Sequence, residues 1–204
     1  MGNRLSKIYT RTGDDGSTGM ADGSRMSKAD SLFNVMGDVD ELNSHIGLVR
    51  AHLKQAITDQ QKLPARLQQQ AGADFQQALV IIQHLLFNVG GELAMPEYEG
   101  IIATHIGWLE QQIDSMNNTL PALKDFILPT GSVLVSQLHV ARTVCRRAER
   151  QAVQLQQQRP EAIRNTAVSL INRLSDWLFV AARFCTDPEQ VTEVLWDNQV
   201  LQNL

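Results

Sequence analysis

The chain has 204 residues, of which 43% are hydrophobic and 20% charged, with a formal net charge of −4 and two cysteines. That length accommodates one domain with a sizeable core, and the acidic balance argues against a nucleic-acid partner. No apolar run reaches the roughly 20 residues of a membrane span, no signal-peptide core opens the chain, and Cys145 and Cys185 form no CxxC pair, so a reducing cytoplasm is the expected compartment.

The chain begins with a polar, glycine-rich stretch, TRTGDDGSTG, at residues 10–19. Two readings compete here: a frayed terminus, or a loop whose amides form an anion-binding nest. Gly13 and Gly16 permit the backbone conformations of such a nest, and Thr10, Thr12, Ser17 and Thr18 add hydroxyls. Asp14 and Asp15 fit an anion site if Mg²⁺ accompanies the anion, or if Asp14 ties the loop down. No GxxxxGK[ST] is present, so this is not a Walker loop.

Five segments then repeat apolar residues at spacings of three and four, which places each set on one helical stripe. The first runs from Leu32 through Val39 and Ile46 to Leu53, and the second from Phe75 through Ile82 to Leu93. The third spans Ile106 to Leu120, the fourth Leu134 to Leu155, and the fifth Ile163 to Cys185. Pro64 and Gly72 are expected between the first two helices, MPEYEG before the third, DFILPTGS before the fourth, and Pro160 at the start of the fifth. No strand alternation of useful length occurs. These seams predict an all-α, up-and-down helical bundle of about five helices.

Polar residues flank the last two seams. Arg142, Arg146 and Glu149 form one stripe on the fourth helix, and Asn172, Asp176, Phe179 and Arg183 another on the fifth. Asp40 follows the seam residue Val39 on the first. Singly, such stripes read as surface salt bridges worth tenths of a kcal/mol. Together they need partners, and two arginines one turn apart suit a polyphosphate. Thirteen of the eighteen basic residues are arginine, a bias that also favours fixed recognition of phosphate or carboxylate.

At these residues the sequence resembles the PduO-type ATP:cob(I)alamin adenosyltransferases. TRTGDDGST, GDVDELNSHIG, FILPTGS, HVARTVCRRAER and INRLSDWLFVAAR carry the resemblance, in family order, from about Lys7 to Arg183. It implies a homotrimer with active sites between subunits and transfer of the adenosyl group of ATP to the cobalt of a reduced corrinoid, giving adenosylcobalamin and triphosphate. Mg²⁺ with ATP, cobalamin as substrate and a corrinoid reductase as electron source are implied as well, with no nucleic acid and no membrane. Residues 1–30 become an ATP-binding loop segment, 31–190 the bundle and 191–204 a tail.

The resemblance assigns ATP binding to Thr10, Arg11, Thr12, Gly13, Gly16, Ser17, Thr18, Lys28, Arg146, Glu149 and Asn172, with no resident metal site. It pairs Asp40 with Arg142 across the subunit interface and sets Phe126 beside the corrin's lower face, where it would displace the lower cobalt ligand and ease reduction. Three departures bear on affinity: Arg11 and Asp15 stand where lysine is common, and Thr130 where glycine is frequent. A helical scaffold without ATP binding and a corrinoid or nucleotide sensor without turnover are the rival readings. His139 reads as structural, and Trp108, Trp177 and Trp196 as packing residues, with Trp196 also placed to cover a subunit contact or the corrin.

Overall fold

The computed structural model describes residues 8–59, 63–68, 70–186 and 193–202; Lys7, Gln69 and the boundary between bundle and tail at 190–191 lie outside them. Two short strands, β1 (Ser17–Gly19) and β2 (Arg25–Ser27), precede five helices. These are α1 (Ser31–Thr58), α2 (Gln70–Ala94), α3 (Ala103–Asn117), α4 (Val133–Gln158) and α5 (Asn165–Cys185). The all-α bundle expected from the seams is the observed architecture.

Neighbouring helices pack in the order α2, α1, α4, α5, α3. Gln137 of α4 meets His45 of α1, while Arg159, just past the end of α4, pairs with Asp30 at the head of α1, so these two helices run antiparallel. The seam residues carry the core. Val49, Leu79, Val89, Leu138 and Leu174 are essentially inaccessible. Ala141, Ala148 and Ala152 on α4 and Ala167 and Ala181 on α5 are also fully buried, and such small side chains let two helix backbones approach closely. Cys145 sits in this contact, its Sγ 3.2 Å from the carbonyl of Ile171. Trp177 is wholly buried and stacks on Phe75 at 5.4 Å and 7°, a packing role as expected.

Helix starts follow their caps. The Asp30 carboxylate accepts from the amide of Leu32 at 2.8 Å, and Ser132 accepts from the amide of Val135, opening α1 and α4. Three local expectations are corrected. Pro160 does not open α5 but sits in a single 3₁₀ turn, because Ile163 is extended and the helix restarts at Asn165. Gly72 lies inside α2: a Cβ there would stand 2.0 Å from the carbonyl oxygen of Leu67, so glycine admits the preceding turn. A two-stranded hairpin, absent from the sequence expectation, pairs Thr18 with Met26 around a turn at Asp22-Gly23, where Gly23 takes a positive φ of 85°.

Candidate functional site

The α4–α5 face brings together three of the expected residues. The amide of Asn172 donates to Glu149 Oε1 at 2.6 Å, one turn from Arg146. Arg146 is exposed and its side chain makes no hydrogen bond or ion pair among the described residues. Arg142 is half-buried, its Nε fully enclosed without an acceptor among the described residues. Burial and the nearby Arg146 charge both hold its guanidinium below the usual arginine range. A cation in that state is costly unless a further acceptor reaches it.

Asp40 does not supply it within one chain. It is exposed and makes no ion pair among the described residues, whereas its neighbours Asp38 and Glu41 both engage Arg147. The α5 stripe divides. Asp176 pairs with Arg173 at 2.9 Å, and Arg183 is buried in an ion pair with Glu193, so neither lies free beside Asn172.

The N-terminal segment is an organised loop. Its hairpin positions Lys28, whose Nζ donates to the carbonyl of Gly13 at 2.8 Å, while the amide of Lys28 donates to the carbonyl of Gly16 at 2.9 Å. A Cβ on Gly13 would meet Lys28 Nζ and Ser17 O at 3.0 Å, tighter than side chains normally pack, so glycine eases this close approach. Arg11 adopts a left-handed φ of 62° with its guanidinium over the Tyr9 ring. Thr10 and Thr12 share a hydroxyl–hydroxyl bond of 2.8 Å.

Asp15, and not Asp14, ties the loop down. Its carboxylate accepts from the amide and hydroxyl of Ser17 at 2.8 and 2.7 Å, which together with Arg25 hold it below the ordinary carboxylate range. The amides of Asp14, Gly16 and Ser17 are all engaged inside the loop, so they do not form an open nest in the free chain. Arg25 is the residue that sequence reasoning missed. It donates to the carbonyl of Thr12 and to Ser17 Oγ, placing a guanidinium at the centre of the loop. The Asp22-Gly23 dipeptide was the available signal, since such a pair turns a hairpin and brings Arg25 back across from Ser17.

No hydrogen bond or ion pair among the described residues joins this loop to Arg142, Arg146, Glu149 or Asn172. The loop's base is fastened at Asp30 to Arg159, about 20 Å along the helix axis from Arg146.

Phe126 is 80% exposed on the extended segment before α4. Its carbonyl accepts from the amide of Trp196, and the amide of Leu128 donates to Val194, both at 2.8 Å, so the C-terminal segment forms a bridge with the residues around Phe126. Trp196 thus joins the Phe126 region and remains half-exposed. Thr130 leads into Gly131, whose φ is 148°. His139 is buried on α4, its Nδ1 without a partner among the described residues. None of the helices among the described residues is long and apolar enough to cross a membrane.

Comparison with known proteins bears on this geometry. Residues 8–185 match the family model described as cobalamin adenosyltransferase. A cobalamin adenosyltransferase of Cupriavidus metallidurans is 45% identical over 199 residues, covering 98% of both chains. A corrinoid adenosyltransferase of Mycobacterium tuberculosis is 40% identical, over 94% of this chain and 93% of that one. Among solved structures, a single-site variant of a PduO-type ATP:corrinoid adenosyltransferase from Lactobacillus reuteri, complexed with cobalamin and ATP, superposes with a TM-score of 0.79 at 38% identity. It covers 94% of this chain and 97% of that one.

Proposed function

The chain belongs to the cobalamin adenosyltransferase family, and we propose that its active site forms between subunits, from the loop of one and the α4–α5 face of another. The enzyme transfers the 5′-deoxyadenosyl group of ATP to the cobalt of a reduced corrinoid, forming adenosylcobalamin and releasing triphosphate. One observation carries the intersubunit reading. Among the described residues the buried Nε of Arg142 has no acceptor and Arg146 is unengaged, while the loop that shares their substrate is fastened at the far end of the same α4. The solvent-facing Asp40 of a neighbour supplies the missing acceptor for Arg142, and a closed homotrimer satisfies every copy equally.

In this reading the adenosine end of ATP lies along Glu149 and Asn172, whose bond fixes the carboxylate. Arg146, Lys28 and the hydroxyls and remaining amides around Thr10, Arg11, Thr12, Gly13, Gly16, Ser17 and Thr18 hold the triphosphate. Asp14, whose carboxylate makes no hydrogen bond among the described residues, would face a Mg²⁺ accompanying those phosphates, which would offset their charge. The new cobalt–C5′ bond forms as the C5′–oxygen bond to triphosphate breaks, and the electron pair leaves on triphosphate. The protein needs no nucleophile or base for this step. It aligns the two centres and stabilises charge on the departing oxygen, which arginines and a lysine do well away from bulk water.

Phe126, exposed in the free chain, contacts the lower face of the corrin and excludes the axial ligand that would otherwise stabilise cobalt(II). A separate reductase supplies the electron, and the cytoplasm is the setting.

Mixing two inactive variants tests the arrangement. Lys28→Ala damages the loop and Arg146→Ala damages the helix face. Co-refolded, an intersubunit site regenerates some sites with both partners intact, so activity reappears. A site built within one chain stays inactive at every mixing ratio.

A further inference from the structure

The segment that carries Phe126 is fastened to the bundle through one buried guanidinium. Arg183, near the end of α5 and 4% exposed, donates through Nε to Glu193 Oε1 at 2.8 Å and through Nη2 to Oε2 at 3.3 Å. The same Nη2 donates to the carbonyl of Pro121 at 2.8 Å. Pro121 precedes Phe126, and Glu193 precedes the residues that bridge to it, Val194 to Trp196. One side chain therefore ties down both strands of the bridge. The end of α5 is itself held, because Arg66 Nε donates to the carbonyl of Phe184 at 2.7 Å and its guanidinium lies over the Phe184 ring.

Apolar packing holds this segment at its start, where Leu120 packs against the core, and weakens toward Phe126. Leu120, Leu123 and Leu195 line a cavity of about 300 Å³ that also touches Arg183 and Glu193, and Leu123 and Leu128 remain partly exposed. Beyond Leu120, the position of Phe126 rests on two backbone hydrogen bonds to the tail, a local bond from its amide to Asp125 Oδ1 at 2.8 Å, and the Arg183 clamp. We propose that Arg183 and Glu193 are positioning residues that set the placement of Phe126 at the corrinoid site, acting through the bridge between Ile127 and Leu195. The proposal rests on the reading of Phe126 given above.

The test uses the full chain with ATP and cob(II)alamin, measuring the fraction of bound cofactor that has lost its lower nitrogen ligand from the nitrogen splitting of its EPR spectrum. Glu193→Ala is expected to lower the ratio of released to ligated form about tenfold while leaving the Kd for ATP unchanged, since small misplacements cost this much or more. Glu193→Gln retains an oxygen for Arg183 Nε and recovers most of the released form. The double variant with Phe126→Ala is no worse than Phe126→Ala alone, as coupling through one path requires. If Glu193→Ala fails to fold, Trp196→Pro against Trp196→Ala carries the same test, because only the proline removes the N–H donated to Phe126. A folded Glu193→Ala, or failing that Trp196→Pro, with the wild-type fraction released overturns the clamp. Phe126→Ala with the wild-type fraction overturns the underlying role of Phe126 instead.

Discussion

The side-chain amide of Asn172 donates to the carboxylate of Glu149 at 2.6 Å, joining α5 to α4 beside the unengaged guanidinium of Arg146. An acid so placed next to a free arginine would ordinarily turn to it. Here Asn172 holds the carboxylate, and the donors of Arg146 are left without a partner among the described residues.

Removing that guanidinium isolates its contribution. Arg146→Ala is expected to lower kcat/KM for ATP by about 100-fold or more, the scale seen when one donor to a developing anion is lost. Because Arg146 is exposed, the melting temperature stays at the wild-type value. Steady-state kinetics with prereduced corrinoid, beside a thermal melt, check both statements; a wild-type kcat/KM removes Arg146 from the site.

Arg25 organises the loop from within. Its guanidinium ties Thr12 to Ser17, and without it the ordering entropy of the loop is paid on binding ATP. Arg25→Ala should therefore raise KM for ATP about tenfold, with a smaller effect on the Kd for corrinoid. Limited proteolysis within residues 10–27 should accelerate in parallel. An unchanged KM would show that the loop orders without Arg25.

Phe126→Ala is expected to lose activity mainly when cobalamin is supplied as cobalt(II). An exposed phenylalanine contributes little to the core, so stability should change by less than about 0.5 kcal/mol. Parallel assays with cobalt(II) and chemically prereduced cobalamin separate the steps. Equal losses in both count against a role in removing the axial ligand.

His139 sets a pH dependence of stability. Burial first, and Arg142 second, push its pKa below the ordinary histidine value, with Glu193 opposing. Because its folded pKa lies below that of the unfolded chain, about 6.5, the unfolded state holds more protons in the window just below that pH. Stability then falls as pH drops below that point, by at most about 1.4 kcal/mol per pH unit, and is fully present above it. Denaturant unfolding at pH 7 and pH 5.5 should show this loss, and His139→Asn should reduce the difference. An unchanged difference assigns the slope to other groups.

Much of the bundle was legible because burial in a helix imposes a period that a sequence displays directly. The seam through Val39, Ile46 and Leu53 and the alanine-rich seam of α4 are the buried faces observed. Local chemistry also marked the starts of α1 and α4, where Asp30 and Ser132 are good caps. The motifs around TRTGDDGST, CRRAER and NRLSD carried the family. What remained hidden depends on contacts distant in sequence. Spacing put Arg183 on the same stripe as Asn172, yet Glu193 and Pro121 bury it, because the chain returns across the end of α5. Periodicity could not tell an arginine left exposed, such as Arg146, from one enclosed by its own tail, such as Arg183. Nor could it show that the loop is anchored at one end of α4 and Arg146 lies far along it. Helical phase is a local property written in each segment, whereas the partner of a charge is chosen only when the segments pack.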